Sequence, residues 1–308
     1  MSCLACGHQK VHKSIEPPKI ENIDQDLVDQ ANYGDSESCY ILSRMLLEEP
    51  EHCNSKLGEY YLSKSADSGF GEAILYYSKL LHIGIKIPKN DTKAKKYLKS
   101  AIKKGIPKSA KQLSKLYFDL NKNKKGVKIL KKSVKNNDTY SMIYLSKLYQ
   151  EGTIVEQNNA RAIELLTKAH QKENQRATYL LAEAYRQGQI CTENLNKAAD
   201  LHKENAKKGD KNSLYSYAEM LENGEGVEKN LEEAIKYYEL AAKNDNPNAC
   251  YRFYEILLSR KTENDEILAN EYLEKAFKFE NPEALYKKGM ILFENKEKEK
   301  AKQLFYKS

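Results

Sequence analysis

The amino-acid sequence predicts an all-α solenoid of about eight helix-turn-helix repeats. Three observations predict it. A column of small residues recurs through the chain at Ser38, Ala73, Ser109, Ser141, Ala177, Ser213, Ala249 and Ala284, with spacings of 35, 36, 32, 36, 36, 36 and 35. A second column keeps step with it at Gly58, Ala94, Gly126, Ala162, Ala198, Ala234, Ala269 and Ala301. Each copy carries two helical apolar stripes separated by a break. A period in this range marks stacked supersecondary units, because one unit alone cannot bury its apolar face.

The copy at 213–246, SLYSYAEMLENGEGVEKNLEEAIKYYELAAKNDN, shows the unit best. Tyr217, Met220 and Leu221 form one buried stripe of a first helix. Gly224-Glu225-Gly226 breaks it with residues suited to turn geometry. A second helix follows, with Ala234, Tyr237, Tyr238, Ala241 and Ala242 on one face. Asn244-Asp245-Asn246-Pro247 ends it, and Pro247 fits the first turn of the next helix. Five positions after the column start stand Ser43, Ser78, Ser114, Ser146, Ala182, Ala218, Tyr254 and Gly289. Most are short enough to let helix axes approach closely. Pairs seven and eight positions on, such as Leu80/Leu81 and Leu116/Tyr117, are expected to form the core between copies.

The chain before the repeats, residues 1–34, reads as a flexible N-terminal segment with Pro17-Pro18 and many polar residues. The eight copies fall near 35–69, 70–105, 106–137, 138–173, 174–209, 210–245, 246–280 and 281–308. The first has a long acidic connection around Glu48-Glu49-Pro50-Glu51. The third is four residues short across LNKNKKGV, which demands a tighter loop. The seventh replaces the loop glycines with SRKTENDE, and the eighth ends on the polar face expected of a terminal cap.

The copies at 141–170, SMIYLSKLYQEGTIVEQNNARAIELLTKAH, and at 177–209, ATYLLAEAYRQGQICTENLNKAADLHKENAKKG, share the pattern of the sixth. Together these segments resemble the Sel-one-like repeat family, relatives of the tetratricopeptide repeats. The resemblance covers roughly residues 35–308. It implies helix pairs wound into a right-handed superhelix that serves as an adaptor or scaffold, with the first helices lining its concave side. Only the sixth copy keeps both loop glycines, and the short third copy leaves the pitch open around residues 119–126.

The formal charge of +7 in 308 residues is unevenly placed. From Lys86 to Lys135 there are 18 lysines, no arginine, and only Asp91 and Asp119 as acids, so this segment carries +16 and the rest of the chain −9. Such polarity steers association with an acidic partner. It also raises a second reading, binding of nucleic acid or an acidic membrane through the second and third copies. Against nucleic acid stand the missing arginines and the few aromatics available for stacking, Tyr97, Tyr117 and Phe118.

No stretch is apolar enough to cross a bilayer, and the first residues lack a signal-peptide core. Ser2 stands where myristoylation needs glycine. A cytoplasmic location and six reduced cysteines are therefore expected. Cys3, Cys6, His8 and His12 are the one candidate metal or redox cluster. They raise a third reading, an enzyme-regulatory subunit whose N-terminus senses metal or redox state, but a metal-free end is the favoured reading, since the intervening finger of a zinc module is missing. Acylation of Cys3 or Cys6 is a further option. His52, His82, His170 and His202 are scattered over different copies, no nucleophile elbow is present, and GEGVEKN is a turn rather than a phosphate loop. A non-enzymatic chain without cofactor or small-molecule substrate is expected.

Recognition residues are read from two further columns. Six positions after the column start stand Arg44, Lys79, Lys115, Lys147, Glu183, Glu219, Glu255 and Met290. Two positions after it stand Tyr40, Leu75, Lys111, Ile143, Tyr179, Tyr215, Tyr251 and Tyr286. These positions are four apart and share a helix face. Lys79, Lys115 and Lys147 are the expected contacts for acidic groups of a protein partner. Glu183, Glu219 and Glu255 are those for basic groups, with Tyr179, Tyr215 and Tyr251 supplying contact area. Core packing of the tyrosines and duplication of charged surface residues are the alternatives.

Overall fold

The computed structural model describes residues 23–49, 53–260 and 262–308. Among them it has seventeen α-helices and no strand. A leading helix, α1 (Gln25–Tyr33), precedes eight helix pairs. These are α2 (Ser36–Glu48) with α3 (Ser55–Ser68), α4 (Gly71–Ile83) with α5 (Asp91–Lys103), and α6 (Ser109–Asp119) with α7 (Asn123–Lys135). Then come α8 (Thr139–Glu151) with α9 (Asn159–His170), α10 (Gln175–Gln187) with α11 (Leu195–Lys207), and α12 (Lys211–Asn223) with α13 (Leu231–Lys243). The last are α14 (Pro247–Arg260) with α15 (Glu263–Lys278), and α16 (Pro282–Glu294) with α17 (Lys298–Phe305). The chain forms two compact units, one ending at Ile129 and one starting at Leu130.

Both small-residue columns are buried throughout. Each copy closes by the same local device. In four copies the first and second helices are joined by seven residues, as in Gly84 to Asn90, and the loop ends on an asparagine. That asparagine donates its N–H to a carbonyl near the end of the first helix: Asn90 to Leu81, Asn158 to Tyr149, Asn194 to Tyr185 and Asn230 to Leu221, at 2.7–2.9 Å. Its side chain then accepts from the first turn of the second helix, as Asn90 does from Lys93 N–H at 2.9 Å, satisfying a donor the helix cannot satisfy itself. In the third copy only residues 120–122 join α6 to α7, four fewer than in the full copies, as the shortened sequence requires.

Neighbouring copies are tied at their helix starts. Asn246 donates its side-chain amide to Lys211 O at 3.1 Å, and Asn174 donates to Thr139 Oγ1 at 3.0 Å. These asparagines also cap their own helices. Between the ties lie apolar clusters. In the first unit Leu62, Tyr77, Leu81, Leu98 and Leu113 are fully or almost fully buried together. In the second, Tyr217, Met220, Leu221 and Tyr238 form one such cluster.

The N-terminal reading needs a correction. Of the segment expected to be flexible to residue 34, Gln25–Tyr33 form α1, with Val28 and Ala31 buried against Cys39, Leu42 and Tyr61. Asp24 caps its start, and Val28 and Ala31 are one helical step apart on a single face. Tyr61 and Lys64 of α3 hydrogen-bond to Asn32 and Ala31. Cys3, Cys6, His8 and His12 lie outside the described residues.

Candidate functional site

In the first unit, Lys79 on α4 and Lys115 on α6 are exposed. They border a groove of about 430 Å³. Its polar lining also includes Ser78, His82, Lys108, Lys111, Gln112 and Asp119, and its apolar lining is the exposed Ile83 with buried Leu98 and Leu116. Gln112 links the two helices by donating to Leu75 O at 2.6 Å. His82, on the last turn of α4, has Nδ1 2.6 Å from Asp91 Oδ1 and Nε2 3.1 Å from Asp119 Oδ2. His82 thus holds both acids of the lysine-rich segment, of which Asp119 lines the groove. Neither α4 nor α6 has a side-chain hydrogen bond at its N-cap; Phe70 and Lys108 stand where other first helices place Asp or Asn. Arg44, the corresponding residue of the first copy, is paired with Glu48 one turn on.

In the second unit the expected contacts are placed differently. Lys147 is exposed, 3.4 Å from Glu151. Each of the three glutamates already has a partner within the chain. Glu183 Oε1 accepts from the Ser216 hydroxyl at 3.1 Å and lies 3.2 Å from His202 Nε2. Glu219 meets Arg186 at 3.2 Å, and the same guanidinium reaches Glu225 at 2.9 Å. Glu255 accepts from Arg252 at 3.0 Å, and Arg252 also grips Glu222, which accepts from the Tyr238 hydroxyl at 2.7 Å. Thus α12 carries two glutamates, Glu219 and Glu222, held by an arginine from the copy before and one from the copy after.

These pairings move the titrations. Burial alone raises the pKa of Glu183, but His202, Ser216 and Arg186 outweigh it and hold the carboxyl below the ordinary glutamate value. Glu222 behaves alike: burial opposes its charge, and Tyr238 and Arg252 more than compensate. Tyr179, Tyr215 and Tyr251 are half-buried, and burial foremost pushes their hydroxyls up. Their rings pack at 5.5–6 Å against His202, Tyr238 and Tyr254 respectively. Each ring is thus partly covered by a neighbouring aromatic side chain.

Arg186, Arg252 and Glu222 were not picked out from the sequence, and His202 was read there only as one of several scattered histidines. The signal was present: opposite charges at positions three, six and nine of successive copies lie on one helix face. His202 is fully buried, and neither ring nitrogen has a partner in hydrogen-bonding geometry. His170 shares a 2.9 Å contact with Thr178 Oγ1. Cys39, Cys53, Cys191 and Cys250 are free thiols. Among the described residues no three His, Cys, Asp or Glu side chains come together as a metal site, and no helix is long and apolar enough to cross a membrane.

Comparison with known proteins fixes what this arrangement belongs to. The chain matches the Sel1 repeat over residues 36–70, 71–106, 139–172, 175–210, 212–246 and 249–278. The pairs α6–α7 and α16–α17 lie largely outside these segments yet have the same helix-pair form. The chain is similar to the crystal structure of a Sel1 repeat protein from Oxalobacter formigenes, at 24% identity and a TM-score of 0.58, covering 92% of this chain and 85% of that one. It is also similar to a protective antigen of uropathogenic Escherichia coli displaying an SLR fold, at 20% identity and a TM-score of 0.55. That match covers 93% of this chain but 64% of the antigen, so the chain spans less than two thirds of its length. At these identities the likeness concerns the fold. Among proteins with curated descriptions, none matches the chain by sequence. Six matched segments spanning most of the helix pairs show that the chain belongs to the Sel1 repeat family.

Proposed function

We propose that the repeat region, residues 35–308, is a non-enzymatic scaffold that binds a segment of a partner protein along the face built by its first helices. Sel1 repeat proteins are generally protein-interaction scaffolds. The observation that carries the reading here is the division of labour along each first helix. The column start and the positions five, seven and eight after it are mostly buried, whereas positions two and six stay half-buried or exposed in every copy. One register of side chains thus keeps part of its surface open along the repeats, although Tyr40, Leu75, Ile143, Tyr215 and Tyr251 also pack against core residues. In the first unit it supplies Lys79 and Lys115, in the second Lys147 and the half-buried Tyr179, Tyr215 and Tyr251. Glu183, Glu219 and Glu255 contribute as members of ionic networks whose outer oxygens accept from a partner.

The test is capture of partners from native lysate with chemical cross-linking. The parent is compared with Lys79→Glu/Lys115→Glu in the first unit and Tyr215→Ala/Tyr251→Ala in the second. A protein cross-linked to the parent and lost with either variant, while the variant keeps its helical circular dichroism, supports the reading. Recovery of the same proteins by all three forms places binding on another face and overturns it.

A further inference from the structure

The groove of the first unit holds features that packing does not use. Four serines occupy the same place in successive first helices. Ser43 donates to Tyr40 O at 2.7 Å, Ser114 to Ala110 O at 2.8 Å and Gly126 O at 3.0 Å, and Ser146 to Ile143 O at 2.7 Å. Ser78 lines the groove, is buried, and its hydroxyl has no partner. The one other buried hydroxyl without a partner among the described residues of this unit is Ser109, next to Lys108 at the start of α6. A buried hydroxyl left unmade costs free energy that a ligand recovers. Around Ser78 stand Lys79, Lys108, Lys111 and Lys115, and the apolar lining is the exposed Ile83 with buried Leu98 and Leu116. Asp119, the one acid in the lining, lies 3.1 Å from His82.

We infer that this groove is a binding site for an acidic segment of a protein, in which carboxylates alternate with apolar side chains. The inference rests on the scaffold reading and names the partner's chemistry. Three arguments lead to it. The lining is cationic and falls mostly in the segment 86–135 with its 18 lysines and two acids, so charge complementarity selects an anion. The cations are all lysines, which act as point charges and lack the planar fork that recognises one phosphate or one carboxylate bidentately. Several lysines without a fork suit a run of carboxylates better than a single anion. The exposed Ile83 side chain then meets an apolar side chain between them, and a groove of about 430 Å³ is within the range of specific sites. The Ser78 hydroxyl donates to the ligand from the wall.

The full chain is titrated with a fluorescent twelve-residue peptide of alternating Asp/Glu and Leu/Phe, with the lysine counterpart of that peptide and with single-stranded RNA as comparison probes. Anisotropy is read at two salt concentrations. The expected result is saturable binding of the acidic peptide alone, weakened about tenfold or more in Lys111→Gln/Lys115→Gln and severalfold in Ser78→Ala. The control Lys96→Gln/Lys99→Gln removes the same charge from the exposed face of α5 and is expected to stay within about threefold of the parent. Because Ser78 makes no internal hydrogen bond, Ser78→Ala is expected to keep or raise the parent's urea midpoint, which separates a binding role from a structural one. Equal loss in the two lysine pairs would reduce the groove to diffuse charge, and tighter, groove-dependent binding of RNA would assign it to nucleic acid. Either result overturns the inference, as does failure of the peptide to bind. If partners are still captured through Tyr215 and Tyr251, the scaffold reading survives that failure.

Discussion

Gly226 is held at a φ of +66°, and a Cβ there would run into the backbone of Leu195 and Asn196 at the start of α11. Gly105 has a similar φ of +73°, but a Cβ would meet nothing within 4 Å. The pair therefore separates backbone strain from collision. Gly105→Ala is expected to cost about 1 kcal/mol, the strain of a left-handed alanine. Gly226→Ala is expected to cost roughly 2–4 kcal/mol, because the loop must also back away from α11. Urea denaturation followed by circular dichroism checks both, and equal losses would show that the contact with α11 yields freely. The sequence marked Gly224 and Gly226 as a turn, which is local information. That Gly226 presses against the preceding copy was not legible, because the contact joins residues about thirty apart whose meeting depends on how copies stack.

At the scale of the element, α12 is the best case of charge with a structural task. Its Glu222 takes the Tyr238 hydroxyl and Arg252, while its Glu219 takes Arg186. A carboxyl held below its ordinary value of 4.5 stabilises the fold fully above that value, and the contribution fades as pH falls through the lower folded pKa. Glu183 and Glu222 are both shifted this way. The parent is therefore expected to lose stability progressively below pH 4.5. Glu222→Gln is expected to be less stable at neutral pH, by about 1 kcal/mol once screening of these part-exposed groups is allowed for. It is expected to converge on the parent in acid. Urea midpoints from pH 7 to pH 3 read this directly, and a constant gap across the range would assign the loss to packing. The helix pairs themselves were legible, because small residues in register and a four-residue deletion need no partner to be read. The asparagine caps were overlooked although they sit four residues before the second column, as Asn90 does before Ala94. The acidic column looked like an outward surface because single-sequence reading sees each charge without its neighbour from the next copy.

At the scale of the molecule, close contacts between helices run to chain neighbours, joined by a smaller contact between α4 and α6. Stability in such an array is a sum of local terms and nearest-neighbour interfaces, so damage spreads by copies rather than through one shared core. Leu98 is fully buried in the cluster of the first unit, and Tyr238 almost fully in the second. Leu98→Ala is expected to cost about 2–5 kcal/mol and Tyr238→Ala a similar amount, through lost burial and the cavity left behind. Amide hydrogen exchange resolved by peptide mass should then show two separate footprints. Leu98→Ala is expected to lower protection in α4, α5 and α6 while α12, α13 and α14 keep parental rates, and Tyr238→Ala the reverse. If either substitution raised exchange evenly through both groups of helices, the chain would be one cooperative block, and the acidic-peptide groove could not be weakened without disturbing the tyrosine-lined face. Separate footprints would mean that the two surfaces can be varied independently, each tested against its own partner in an otherwise parental protein.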